Sequence, residues 1–319
     1  MKLSRKAIPV LLLALTSVGG GCKQGAKQPE VDIVQTMSHP ALDSLRVNME
    51  AVLRTSGYTN FVERNAEGQE NLLPAILREL DARNPALIVA ITTPAAQAAV
   101  KVAHVPVVFA AVTDPVGASV VPSLEHPGAI VTGTSDAWPY AAQLQLIRAI
   151  MPNAKRLGVI FNPSESAAQH GIQQLKLLAP AQGFTVVEGP INSTADVYGA
   201  ARQLAASCDV LLIDSDNTAI AGEAAAIKVA ERQKIPLFAG DSGSVSKGAV
   251  GAVSVGYAQL GTETGKLAVL MLRGERNIPV YVGLGAQIVL NQDAAAKMGV
   301  SLPADVLKQA QHIYMESVP

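Results

Sequence analysis

Short apolar runs alternate with longer segments of helical spacing along most of the chain. Between two of these runs, for example, Leu42, Leu45, Met49 and Val52 recur at the interval of one helix face. Strands that alternate with helices of this length are typical of βαβ units and parallel sheets. The apolar runs, each rich in Val, Ile or Leu, are residues 31–37, 86–91, 105–112, 156–161, 210–213 and 235–239. The pattern therefore predicts an α/β fold.

Three of the apolar runs, with the polar residues that follow them, recur later in the chain at a nearly constant sequence separation. The matched run ends are His39 with Ser164, Thr93 with Asn217, and Asp114 with Asp241, at separations of 125, 124 and 127 residues. Three pairs at almost one separation indicate an internal duplication. We predict two Rossmann-like lobes with parallel sheets, one built from residues 31–133 and the other from residues 134–256.

The polar residues stand where each predicted strand passes into a helix. In open α/β sheets, ligands bind beyond the carboxyl ends of the strands. Helix N-termini at the same edge present unpaired N–H groups that suit a carboxylate. Two lobes that face each other across these ends would enclose a small ligand in a cleft. The sequence therefore predicts a binding protein that closes about a hinge.

The amino-acid composition excludes some classes of partner for such a protein. Hydrophobic residues make up 49% of the 319 residues and charged residues only 16%, which leaves ample material for a core. The net charge is −1, and no basic stripe with interleaved aromatic residues occurs. Nucleic acid is therefore not a predicted partner. The chain has two cysteines and no CxxC pair, so neither a metal nor another cofactor is predicted.

The N-terminus has the form of an export signal. Basic residues precede an apolar run at 7–15, and small residues at 19–21 precede Cys22. The apolar run is shorter than the roughly 20 residues that span a bilayer. We predict a signal peptide at 1–21 and a polar, flexible tether at 22–30.

Cys22 directly after small residues resembles a bacterial lipobox, in which the thiol is acylated and becomes the first residue. Gly19 occupies the place where a lipobox usually carries Leu. The alternative is an ordinary signal peptide with an incidental cysteine. The lipobox interpretation predicts an exported lipoprotein of the cell envelope, attached to a membrane through its lipid.

Several stretches of the mature chain resemble the tryptophan/tyrosine-type substrate-binding proteins of ABC transporters. The stretches, which are spread over nearly the whole mature chain, are 39–43, 93–97, 107–118, 131–136, 216–218, 235–241, 260–266 and 298–300. The resemblance implies the type I periplasmic-binding fold, in which the chain after about Tyr257 completes lobe one and then lobe two. It also implies an amino-acid ligand, possible aromatic specificity, and partnership with an ABC permease and ATPase.

An amino-acid ligand presents a carboxylate and an ammonium group. Hydroxyls and backbone N–H groups suit the carboxylate, and Thr93 and Thr113 follow strands of lobe one. We expect these two threonines to hold the ligand carboxylate. The alternative for Thr93 is plain N-capping of the helix that begins with Thr93-Pro94.

The ammonium group requires acidic partners. Four aspartates follow predicted strands: Asp114, Asp136, Asp216 and Asp241. Asn217 is the residue directly after Asp216. An aspartate in such a place is also a common helix cap or turn former. We expect Asp216 and Asp241 to contact the ligand, with Asp136 as the next candidate.

The remaining candidates lie at the first strand end of each lobe. His39 ends the first strand, and Ser164 and Glu165 occupy the matching place in lobe two. We expect all three at the ligand cleft, although a lone histidine is more often structural. Trp138, the single tryptophan, follows the predicted crossover and would either stack on a ligand ring or pack the hinge.

Two other functions fit parts of the sequence. Residues 240–243 read Gly-Asp-Ser-Gly, the nucleophile motif of one class of serine proteases, so a hydrolase that uses Ser242 is the enzyme alternative. The motif follows a parallel strand here, and catalytic triads are identified by geometry rather than by a tetrapeptide. We therefore predict a protein that is not an enzyme. An extracytoplasmic sensor that acts through a partner remains the other alternative.

Overall fold

The computed structural model describes residues 28–316 except 215, 284 and 285. The predicted signal peptide at 1–21 and Cys22 lie outside the described residues. None of the helices within these ranges combines the length and apolar character needed to cross a bilayer.

In the described part of the chain, the strands form three sheets. Six parallel strands make the first sheet in the order β11-β5-β4-β3-β1-β2, and four parallel strands make the second in the order β7-β6-β8-β9. A third, mixed sheet has the order β10-β12-β13. The strands are β1 (Glu30–Gln35), β2 (Asn60–Asn65), β3 (Leu87–Ile91), β4 (Val107–Ala110), β5 (Val131–Ser135), β6 (Arg156–Phe161), β7 (Thr185–Pro190), β8 (Val210–Ile213), β9 (Leu237–Ala239), β10 (Gly251–Ser254), β11 (Tyr281–Val282), β12 (Gln287–Asn291) and β13 (His312–Tyr314).

Helices cover both faces of the two parallel sheets, and this explains why strands such as β3, β4 and β8 are apolar throughout. We call the helices and strands around the first sheet lobe one, and those around the other two sheets lobe two. The helices are α1 (Pro40–Thr55), α2 (Leu73–Asp81), α3 (Thr93–Val102), α4 (Tyr140–Ile150), α5 (Ser166–Leu178), α6 (Val197–Ala205), α7 (Asn217–Ala221), α8 (Glu223–Gln233), α9 (Ser242–Lys247), α10 (Tyr257–Leu272), α11 (Gln292–Lys297) and α12 (Ala304–Gln309).

The two parallel sheets show the duplication in their strand order. The order β2-β1-β3-β4 in lobe one matches β7-β6-β8-β9 in lobe two. The matched strands β1 and β6, β3 and β8, and β4 and β9 are the pairs that repeat in the sequence at about 125 residues. The predicted α/β fold with parallel sheets is confirmed, and the mixed third sheet adds one antiparallel pair to it.

Within the described residues, the chain passes between the lobes three times. It leaves lobe one after Ser135, returns after Ser254 to form α10, and leaves again after Val282 to form β12. Strand β5 extends two residues past the predicted lobe boundary at 133. Helix α10 packs against α1 on one face of the first sheet. Lobe one is therefore built from two separate parts of the chain.

Helix α10 approaches α1 closely because two of its residues are glycines. A β-carbon on Gly261 would lie 2.1 Å from the carbonyl oxygen of Leu45, and one on Gly265 would lie 2.8 Å from that of Met49. Residues four apart lie on one face of a helix, so the two glycines form a groove that admits the backbone of α1.

Asp32 is a carboxylate inside lobe one. Its side chain is fully buried in β1, and neither oxygen has a hydrogen-bond partner among the described residues. The nearest cation is the Arg83 guanidinium, whose Nε lies 3.8 Å from Oδ2. Burial, and then the charge of Glu30, raises the pKa of Asp32 from 3.8 to about 6.

Replacing Asp32 with asparagine is expected to stabilise the protein at pH 7.5 and to have little effect at pH 4. Because the pKa of Asp32 is higher in the folded state than in the unfolded state, its carboxyl group does not destabilise the fold below about pH 4, where it is protonated in both states. As the pH rises through about 6, the buried group ionises and the free energy of unfolding falls. A shift of this size corresponds to about 1–3 kcal/mol at pH 7.5. Thermal unfolding of Asp32→Asn at both pH values measures the effect, with the exposed Glu125→Gln as the control. An equal change at pH 4 and pH 7.5 would contradict it.

Candidate ligand-binding site

The predicted site residues meet where the carboxyl ends of the two parallel sheets face each other. Seven of the ten are buried there, at most 5% exposed, and they come from both lobes. The seven are His39, Thr93, Thr113, Asp136, Glu165, Asp216 and Asp241. Asp114 and Asn217 are half-buried, and Ser164 is exposed.

Strands β4 and β5 end in a buried hydrogen-bonded group. The Thr113 hydroxyl donates to Asp136 Oδ1 at 3.2 Å, and the Tyr257 hydroxyl donates to Oδ2 at 2.8 Å. Burial raises the pKa of Asp136, although both hydroxyls act to lower it. Tyr257 begins α10, so Asp136 also ties the returning helix to the strand ends of lobe one.

Backbone strain marks the strand ends of lobe one. Thr92, directly after β3, has φ 90°, and Ala111, directly after β4, has φ 52°. These left-handed values are costly for residues with a β-carbon, and such outliers cluster at ligand-binding and catalytic sites. The Thr92 hydroxyl pairs with that of Thr36 at 2.6 Å. Thr93 follows as the buried first residue of α3.

In lobe two, two predicted ligand residues are engaged with backbone N–H groups. Asp216 Oδ1 accepts from the Ala219 amide at 2.7 Å, and Oδ2 accepts from the Asn162 amide. Burial, and then the neighbouring charge of Glu165, raises the pKa of Asp216 well above its usual range. Asp216 therefore caps α7 and joins it to the end of β6.

Glu165 is engaged in the same way. Its Oε2 accepts from the backbone and side-chain amides of Asn217 at 3.0 and 2.9 Å. Its Oε1 accepts from the amide and hydroxyl of Thr218 at 2.8 and 2.6 Å. The exposed Ser164 donates its amide to Asn162 Oδ1 at 2.9 Å and so shapes the turn before α5.

Two histidines join the lobes through carboxylates. His170 of α5 lies 3.0 Å from Asp114 of lobe one, measured from Nδ1 to Oδ2. His39 of lobe one lies 3.2 Å from Glu223 Oε1 through Nε2 and 3.6 Å from Asp241 Oδ1 through Nδ1. The strand ends of the two lobes are therefore in contact, as in a closed cleft.

Tyr140 has a buried hydroxyl at the boundary of the lobes. The residue is 6% exposed, and its hydroxyl has no hydrogen-bond partner among the described residues. Burial, and then the charges of Asp214, Asp136 and Asp114, raises the pKa of Tyr140, so the hydroxyl stays protonated. Its ring centroid lies 6.0 Å from that of His170. A buried hydroxyl that has carboxylates around it and no partner among the described residues indicates a place for a cationic ligand group.

Aromatic rings and glycines shape the same region. The Trp138 ring lies against Gly240 at the end of β9, where a β-carbon would come within 0.9 Å of Cη2. Trp138 also stands 6.0 Å from Tyr140, measured between ring centroids. On Gly171, a β-carbon would lie 1.8 Å from Asp214 Oδ2 and 3.2 Å from the Tyr140 hydroxyl. This glycine lets the carboxylate of Asp214 and the hydroxyl of Tyr140 approach α5 together.

Four residues of this region were not predicted: Tyr140, His170, Asp214 and Glu223. Asp214 directly follows the apolar run at 210–213, so its position at a strand end was a usable signal. Tyr140 begins a helix with an apolar face and reads as a core residue. His170 and Glu223 lie on helices, and nothing in their spacing separates them from exposed polar residues.

A family model described as ABC transporter substrate binding protein matches residues 30–314. The chain belongs to this family. A tyrosine-binding protein from Clostridioides difficile is 34% identical over 291 residues, covering 88% of this chain and 84% of that protein. These substrate-binding proteins are not enzymes, and this overturns the hydrolase alternative with Ser242 as nucleophile. Within the described residues, no group of three or more metal-ligating side chains has a metal-binding arrangement.

Two solved structures of this family show which arrangement of the lobes is present. An ABC domain from Streptococcus pneumoniae in complex with L-Trp superposes with a TM-score of 0.87 at 30% identity. The match covers 90% of this chain and 100% of the Streptococcus pneumoniae chain. A ligand-free, open substrate-binding protein from Clostridium difficile, at 32% identity and the same coverage, superposes with a TM-score of only 0.67. The type I periplasmic-binding architecture is confirmed, and the contacts between the lobes are those of a closed cleft.

Proposed function

We propose that this substrate-binding protein captures an aromatic amino acid, tryptophan or tyrosine, in the cleft between its lobes and delivers it to an ABC importer. The buried Tyr140 hydroxyl, which has carboxylates around it and no hydrogen-bond partner in the described part of the chain, is the observation that carries the proposal. Relatives that bind tyrosine and tryptophan support this ligand class. In this proposal the lobes open about the three connections and close on the ligand.

The ammonium group of the ligand would lie between Tyr140 and Asp214, and the charge of Asp136 would add to its attraction. A tyrosine hydroxyl and carboxylates are acceptors for an ammonium, and burial strengthens their attraction for it. Asp216, predicted for this role from the sequence, caps α7 with its side chain. We assign the role to Asp214, because its carboxylate lies beside the Tyr140 hydroxyl and its charge is the first among those that raise the pKa of Tyr140.

The ligand carboxylate would be held by Thr93 at the start of α3. Thr113 was the other candidate, but its hydroxyl donates to Asp136. Thr93 is buried at the cleft, and the N-terminal N–H groups of a ten-residue helix lie beside it. These donors and the hydroxyl of Thr93 suit one carboxylate.

Thermal unfolding with added solutes tests the ligand class. L-Tryptophan or L-tyrosine is expected to raise the midpoint, because a ligand at 100 times its Kd stabilises a protein by about 2.7 kcal/mol. Tryptamine lacks the carboxylate and indole-3-propionate lacks the ammonium, so both are expected to stabilise much less than tryptophan. A shift with polyols such as myo-inositol and none with the amino acids would contradict the proposal.

The proposal also includes export and a lipid on Cys22, which would hold the protein beside the permease and ATPase of its importer. The basic start, the short apolar run and the small residues before Cys22 support it. Membrane fractionation of the protein and of a Cys22→Ser variant measures the anchor.

A further inference from the structure

His39 joins the first helix of lobe one to two helices of lobe two. It is the N-cap residue of α1, 3% exposed, with Glu223 of α8 against one ring nitrogen and Asp241 at the start of α9 against the other. The approach is close, because a β-carbon on Gly243 would lie 2.4 Å from His39 Cε1. The imidazole is therefore enclosed between the lobes.

The charges around the ring balance only when the ring is protonated. Glu223 and Asp241 supply two negative charges, and Lys247 supplies one positive charge at 2.9 Å from Glu223 Oε1. With an imidazolium at His39 the four groups are neutral in sum, and with a neutral imidazole they carry a buried charge of −1. Burial lowers the pKa of His39, but Asp241 and Glu223 outweigh it and raise the pKa above 6.5.

We propose that His39 is a proton-dependent latch, which holds the two lobes closed when its imidazole is protonated. Both carboxylates belong to lobe two, so opening the cleft separates them from the ring and returns the ring to water. Closure then binds a proton. Below about pH 6.5 the imidazolium stabilises the closed state relative to the open state. This stabilisation is lost as the pH rises through the raised pKa of His39.

A second group responds to pH with the same sign and must be separated from the first. Glu70 of lobe one lies near Glu165 of lobe two, and burial, followed by the charge of Glu165, raises the pKa of Glu70 to about 8. His170 and Asp114 also meet across the cleft. Several groups therefore contribute to any pH dependence of closure in the wild-type protein. Variants of His39 are needed to measure its own contribution.

Small-angle X-ray scattering of the ligand-free protein tests the latch, with the closed fraction fitted at pH 6.0 and pH 8.0. We expect a closed fraction at least three-fold greater at pH 6.0. His39→Gln should lose most of this ratio, and so should His39→Asn, which keeps a good N-cap residue for α1. Glu223→Gln removes one of the two negative charges that lobe two places against His39 and should lower the ratio as well. His104→Gln is the matched control, because His104 is exposed at the surface of lobe one and should keep the wild-type ratio.

The latch is overturned if the wild-type closed fraction is equal at the two pH values, whether open or closed molecules predominate. It is also overturned if His39→Gln and His39→Asn keep the wild-type ratio while Glu70→Gln abolishes it. A second readout rests on the proposed function. The Kd of L-tryptophan for the wild-type protein should be at least three-fold lower at pH 6.0 than at pH 8.0, and the ratio of the two Kd values should be smaller in His39→Gln. Absence of tryptophan binding would contradict the proposed ligand, while the scattering would still decide the latch.

Discussion

Replacing Gly261 with alanine is expected to destabilise the protein by about 3 kcal/mol, which lowers the midpoint of thermal unfolding by roughly 6–12 °C. The added β-carbon would stand 2.1 Å from the carbonyl oxygen of Leu45, and this atom belongs to the backbone of α1. A backbone atom cannot swing aside as the end of a side chain can. Helix α10 must therefore move outward, and it uncovers the apolar residues that it shares with α1.

Gly199 provides the matched control for this substitution. It also lies inside a helix, α6, but a β-carbon there meets no atom within 4 Å. Gly199→Ala is expected to stabilise the protein by about 0.5–1 kcal/mol, because alanine loses less backbone freedom on folding. Equal midpoints for the two variants would show that the contact between α10 and α1 relaxes without cost.

The second large effect is expected on ligand binding, and it depends on the proposed function. Asp214→Asn should weaken the binding of L-tryptophan by about 30-fold to several thousand-fold, because loss of one partner of a buried charge pair costs about 2–5 kcal/mol. Tyr140→Phe should weaken it by about tenfold, the effect of one lost hydrogen bond to a charged group. Titration calorimetry measures both.

Asp305→Asn serves as the control for the charge change, because Asp305 is exposed on α12 of lobe two. It should bind tryptophan like the wild-type protein. An Asp214→Asn variant that unfolds at the wild-type temperature and binds tryptophan with unchanged affinity would exclude Asp214 from the ammonium site.

The parts of the fold that the sequence predicted are the strands buried on both faces. Strands β3, β4, β6, β8 and β9 all lie within the predicted apolar runs, and β1 begins one residue before its run. Strands β2 and β7 were missed because each lies at an edge of its sheet with half-exposed, polar residues such as Glu63 and Glu188. The third sheet was missed because its strands are three to five residues long and pair across large distances in the sequence.

The position of the site could be predicted, but the role of each carboxylate could not. Polar residues after buried strands identified the facing strand ends, since parallel strands bring their carboxyl ends to one edge. The role of a carboxylate depends on the groups that the folded chain places beside it. Asp216 and Asp214 are two residues apart in the sequence, yet the first caps α7 and the second lies near the hydroxyl of Tyr140. The difference arises from the path of the backbone after β8.

The discontinuity of lobe one has a consequence for the order in which the protein can be completed during synthesis. Domains tend to fold from the N-terminus as the chain emerges. Lobe one contains β1, the first strand in the described part of the chain, but the helix that covers α1 ends at Leu272, after the four strands of the second parallel sheet. A nascent chain that stops before Tyr257 leaves the apolar residues of α1 without their partner helix. The lobe that begins first is therefore finished only after the main sheet of the other lobe has been made.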